Sequence, residues 1–205
     1  MAKRAKRPVR SLYHIGKPPP SLYIQRPVSL QVSIHLDTHS PYACQMSTSL
    51  NFDVNGLYIL MSDRGDNSYT FHWGLYLHQT PDSGYIYHLV NDSGATGWYF
   101  EPQPRRSVKF SRGVLVALKI GVLDPIMHQP LLDRLREVPI AYSTRFRENI
   151  TCRVWLKEAI FALDEEGFIK LIRPVNDIES EANRAAIVNK SQGTQVVAPS
   201  TGSQA

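Results

Sequence analysis

Between Ser68 and His78 the chain alternates without a break. Tyr69, Phe71, Trp73, Leu75 and Leu77 hold one parity, and Thr70, His72, Gly74, Tyr76 and His78 the other. Successive side chains of a strand point to opposite faces, so the first set predicts a core face and the second a more polar one. Pro81-Asp82-Ser83-Gly84 follows as a turn, with Pro presetting φ and Gly accepting positive φ. Tyr85 to Val90 then returns as the partner strand of a hairpin.

The other elements arrange themselves around this hairpin. Leu30, Val32, Ile34 and Leu36 alternate with polar residues and predict an earlier strand. Gly56 to Met61 is a short apolar run between turn signals, hence a buried strand, and SDRGDN at 62–67 is the turn after it. Trp98-Tyr99-Phe100 and Gly113 to Val122 predict two more strands. Helices come late. Pro130 opens one through Leu131, Leu132, Leu135 and Val138, ended by Pro139. A second runs from near Thr151 to Glu166, with Gly167 as its stop and Trp155, Leu156, Ala159, Ile160 and Leu163 at helical spacing. A last strand is expected over Phe168 to Ile172. The expected class is α+β, an antiparallel sheet followed by helices. One domain over 29–178 is expected, between a disordered basic tail (1–28) and a disordered polar tail (179–205).

Composition bounds the partners. The 205 residues suit one domain, and a 42% hydrophobic share supports a core. No stretch approaches the ~20 apolar residues that span a bilayer, so no integral membrane segment is expected. The beginning, MAKRAKRPVR, lacks the apolar run of a secretory signal. Two cysteines, Cys44 and Cys152, imply no disulfide framework. An intracellular location, cytoplasmic or nuclear, is the simpler expectation. The Lys3-Arg4-Ala5-Lys6-Arg7-Pro8 run suits nuclear import, while an acid-free, Arg-rich head also suits a mitochondrial transit peptide. Residues 1–36 carry seven Lys or Arg and no acid, which leaves sixteen bases against eighteen acids elsewhere. The domain is therefore near −2, and weak polyanion contact is expected of the head alone. Arg105, Arg106, Lys109 and Arg112 form a local basic cluster.

Chemistry concentrates at three residues. Cys152 stands at the start of the second helix, where free N–H groups and the positive helix end favour a thiolate, and Arg153 and Arg147 add to the effect. Cys also packs readily in cores, so position alone leaves a structural role open. His72 lies mid-strand on the more polar face. A turn at Pro81–Asp82 sets residues 90–91 opposite it, which makes His88 a diagonal neighbour on the same face, ~7–8 Å away. His72 and His78 are ~20 Å apart along one strand and cannot ligate one ion. No metal site, phosphate loop or Gly-x-Ser-x-Gly elbow is present in the sequence, so no cofactor is expected.

The order Phe71-His72-Trp73-Gly74-Leu75-Tyr76-Leu77, Tyr87-His88-Leu89, then a helix-opening Cys152, resembles the circularly permuted papain-like proteins. It is similar above all to the lecithin:retinol acyltransferase group, and more distantly to permuted cell-wall endopeptidases. Cys-Arg-Val-Trp combined with His-Trp-x-x-Tyr also resembles a set of fungal proteins of unassigned activity. The resemblance covers about residues 57–166. It implies Cys152 as nucleophile, His72 as base and His88 as the group orienting it, with Trp73, Tyr76 and Trp155 toward substrate. Where the group has an Asn-Cys-Glu-His stretch, this chain has Thr151-Cys152-Arg153-Val154. The implied activity is a cysteine-dependent hydrolase or acyltransferase on an amide, ester or thioester bond of a small acyl, peptide or lipid substrate. A non-catalytic binding or regulatory protein of the same fold stands as the alternative.

Overall fold

The computed structural model describes residues 50–91, 97–105, 108–109 and 111–205. The expected strand at Leu30 to Leu36, the basic head, Cys44 and Arg106 lie outside the described residues. Five strands follow in order: β1 (Gly56–Asp63), β2 (Phe71–Thr80), β3 (Ser83–Asn91), β4 (Trp98–Arg105) and β5 (Val114–Val122). A 3₁₀ turn at Pro125–Met127 leads into α1 (His128–Arg136), then come α2 (Cys152–Glu165), α3 (Val175–Gln192) and a short β6 (Val196–Pro199). The six strands make one sheet in the order β4-β3-β2-β1-β5-β6. All neighbours are antiparallel except β5 and β6, which pair in parallel. The protein is therefore α+β, with the wholly antiparallel expectation corrected at that one edge. Pro102 and Pro104 on β4 remove N–H donors from the opposite edge, which discourages further strand addition.

Alternation sorts the sheet into two faces. Leu57, Ile59, Met61, Phe71, Trp73, Leu75, Leu77, Tyr87 and Leu89 pack with buried residues of α1, α2 and α3 in the larger core. The opposite parity is also partly covered: Tyr58, Leu60 and Tyr76 pack with Leu50, Val108, Val114 and Ala117 in a smaller core. Gly84 is needed at the hairpin because a Cβ there would stand 2.2 Å from the Leu77 carbonyl oxygen.

The second helix is central. Thr151, with φ −148°, caps it by accepting from the Val154 N–H at 3.2 Å. Cys152, Val154, Trp155, Leu156, Lys157, Ala159, Ile160 and Leu163 are all buried, so α2 is covered around most of its circumference. Lys157 is tolerated inside because its ammonium meets Glu148 at 2.8 Å and Glu179 at 3.0 Å, over the Phe146 ring.

Two sequence expectations are corrected here. Residues 179–205 are folded rather than a disordered tail: α3 buries Val175, Ile178, Ala182, Ala186 and Asn189 at spacings of three and four, and β6 adds to the sheet. Small residues carry that stripe, and the polar remainder of the helix hides it. Phe168 to Ile172 is not a strand. The Phe168 and Ile169 N–H groups return to the Leu163 carbonyl and close α2, and Leu171 makes one isolated bridge to Ser203.

Candidate active site

The hairpin delivers the two histidines together. Gly74 pairs with His88, a register that continues to place Val90 across from His72 and His88 on its diagonal. His72 Nε2 and His88 Nδ1 lie 2.7 Å apart, with the rings edge to face at 4.9 Å between centroids. Gly74 makes this possible: a Cβ there would press on the His88 Cβ at 3.2 Å. On β4, Glu101 pairs with His88 in register and its Oε2 sits 3.1 Å from His88 Nε2. The result is a continuous chain, Glu101–His88–His72, across three strands.

The two histidines border a cavity of about 240 Å³ on the sheet face turned away from the helices. Leu60, Ile86 and Val114 give it apolar walls, and Ser62, Gln103 and Arg105 contribute polar groups. Burial, then the charges of His88 and Arg64, push His72 down to about 4. Burial likewise lowers His88, against the opposing pull of Glu101. Both rings are therefore neutral near pH 7. A histidine whose folded pKa lies below its unfolded value adds stability above about 6.5 and loses it as pH falls. Acidification from pH 6.5 toward 4 should therefore lower the melting temperature, and His72→Gln should make that slope shallower. An unchanged slope in the variant would show that His72 is not buried neutral.

Cys152 has different surroundings. It is the first residue of α2 and only 2% exposed, within the helix-side core beside Trp155 and Leu156. Its sulfur accepts from Arg64 Nη2 at 3.7 Å, and it makes no hydrogen bond to His72 or His88. The thiol and the imidazole pair thus belong to opposite sides of the sheet, near the end where β1 leaves and β2 enters. Arg64 stands between them, touching the sulfur while its charge reaches His72. The turn that carries Arg64 is anchored by Lys190 of α3, whose Nζ donates to Asp63 Oδ1 (2.8 Å) and to the carbonyls of Asp66 (2.6 Å) and Ser68 (2.7 Å).

Trp73, Tyr76 and Trp155 do not border the cavity. Each is at most 3% exposed: Trp73 and Trp155 lie in the larger core and Tyr76 in the smaller one, with its hydroxyl 2.8 Å from His78 Nδ1. In this structure all three are packing residues of the two cores. Glu101, Arg64 and Gln103 were not singled out by sequence. No three His, Cys, Asp or Glu among the described residues are grouped to hold a metal ion, and no described helix is long and apolar enough to cross a membrane.

The family model of DUF6540, a family of unknown function, matches residues 57–170. The chain belongs to the DUF6540 family. The DUF6540 match holds every member of the site, from Arg64 through the histidines and Glu101 to Cys152, whereas α3 and β6 lie beyond it. The Lys190 anchor on the Arg64 turn therefore comes from outside the DUF6540 segment. No curated protein and no solved structure matches the chain.

Proposed function

We propose that this protein is a cysteine-dependent hydrolase or acyltransferase of permuted papain-like fold, acting on an amide, ester or thioester bond. The observation that carries the reading is the Glu101–His88–His72 chain, because it holds the His72 imidazole by one ring nitrogen and leaves the other to serve a thiol as base. The strand order, with a histidine on each hairpin strand and a cysteine opening the following central helix, supports it further. This reading requires Arg64 to leave the sulfur, against the Lys190 anchor on its turn, so that the thiol and His72 can meet around the end of the sheet. His72 takes the Cys152 proton. The sulfur attacks the acyl carbon, and the collapsing adduct expels an amine, alcohol or thiol that leaves with the proton from His72. Water or an acceptor alcohol or amine then gives its proton to His72, attacks the thioester, and releases the acyl product and the free thiol.

The test is an adduct. Incubation with activated-ester or thioester probes should leave one acyl group on Cys152, seen by mass spectrometry of its peptide. Cys152→Ser should keep the fold, read from its circular dichroism spectrum, and abolish the thioester adduct. Adducts scattered over lysines, with none on Cys152, would sink the proposal. The burial of Cys152 and its Arg64 contact favour the second reading, a non-catalytic binding protein of the same fold, and that reading would then lead.

A further inference from the structure

The hydrogen-bond chain determines more than proximity. A carboxylate only accepts hydrogen bonds, so Glu101 Oε2 at 3.1 Å requires His88 Nε2 to carry the proton it receives. A neutral His88 then has a bare Nδ1, which accepts across 2.7 Å from His72 Nε2–H. A neutral His72 protonated on Nε2 has its lone pair on Nδ1. Among the described residues, the one hydrogen bond of the His72 ring is made through Nε2.

We propose that Glu101 is a positioning residue: through His88 it holds His72 in the tautomer whose Nδ1 is unprotonated and can act as a base. Its consequence for catalysis rests on the reading of His72 as the base for Cys152, but the tautomer itself does not involve the thiol. The charged groups facing the pair are Arg64 from the end of β1, and Glu101 and Arg105 from β4. Reversing the chain would require a donor at position 101, which the carboxylate cannot be. Glutamine can be either donor or acceptor, so Glu101→Gln frees both directions at little change in shape.

The experiment is long-range ¹⁵N–¹H correlation of ring nitrogens in the full chain labelled with ¹⁵N-histidine, at pH 7. Wild type should show His72 with Nε2 protonated and Nδ1 bare. In Glu101→Gln the bare-Nδ1 fraction should fall toward about half, and Glu101→Leu should likewise release the preference. Carbethoxylation of His72 by diethyl pyrocarbonate should slow in proportion. A single tautomer that persists unchanged in both variants, or a wild-type His72 protonated on Nδ1, overturns the proposal. Because these readouts do not use Cys152, they stand whether or not the thiol proves reactive; loss of the Cys152 adduct with an intact tautomer would count against catalysis alone.

Discussion

Trp155→Ala will lower the unfolding free energy by roughly 3–5 kcal/mol, the usual cost of removing a large aromatic from a closed core. Trp155 is fully buried on α2 and packs on Phe100 with ring centroids 5.3 Å apart. The neighbouring Leu156, Ala159 and Ile160 are equally enclosed, so little can collapse into the space. Urea denaturation should show a lower midpoint with an unchanged slope. A loss under about 1 kcal/mol would contradict the burial and return Trp155 to the substrate-facing role expected from the sequence resemblance.

Lys157→Ala should cost about 3 kcal/mol, the low end for breaking a buried pair. The low end applies because the partners Glu148 and Glu179 keep 30% and 19% of their side-chain exposure. Arg153 also bonds both carboxylates and remains in the variant. Burial pushes the Glu148 carboxyl up, but the hydrogen bonds from Lys157 and Arg153 outweigh it and hold it below the usual range. A carboxylate held low stabilises the fold above its unfolded pKa and loses that contribution as pH falls. The variant should therefore lose less stability than wild type between neutral pH and acid. An equal loss in both would mean that Lys157 carries no electrostatic weight.

The hairpin was the most legible part of the chain. Strict alternation set both faces of β2, and the Pro81–Asp82 turn set the register that brings His88 diagonal to His72. Glu101 is hidden in the sequence because β4 continues through Pro102 and Pro104, residues that interrupt a strand pattern beyond Phe100. Its role depends on a pairing across strands that periodicity along one strand does not report. α3 escaped for a related reason: Ala182, Ala186 and Asn189 give a weak apolar stripe, although their spacing is helical. The apolar run Phe168–Ile172 misled in the other direction, since its backbone is used to close α2 and its one bridge is to Ser203. The environment of Cys152 was beyond sequence altogether. It combines burial in the helix-side core with a contact from Arg64, on a turn tied to Lys190 more than a hundred residues further along the chain.

Native-state alkylation of Cys152, followed by peptide mass spectrometry at pH 7, tests the pairing of thiol and imidazole most directly. The account predicts that Cys152 reacts faster than Cys44, and that His72→Ala slows Cys152 by roughly 10²-fold, the low end of a general base's contribution. A Cys152 that resists alkylation until the protein unfolds, or a rate that His72→Ala leaves unchanged, would contradict it.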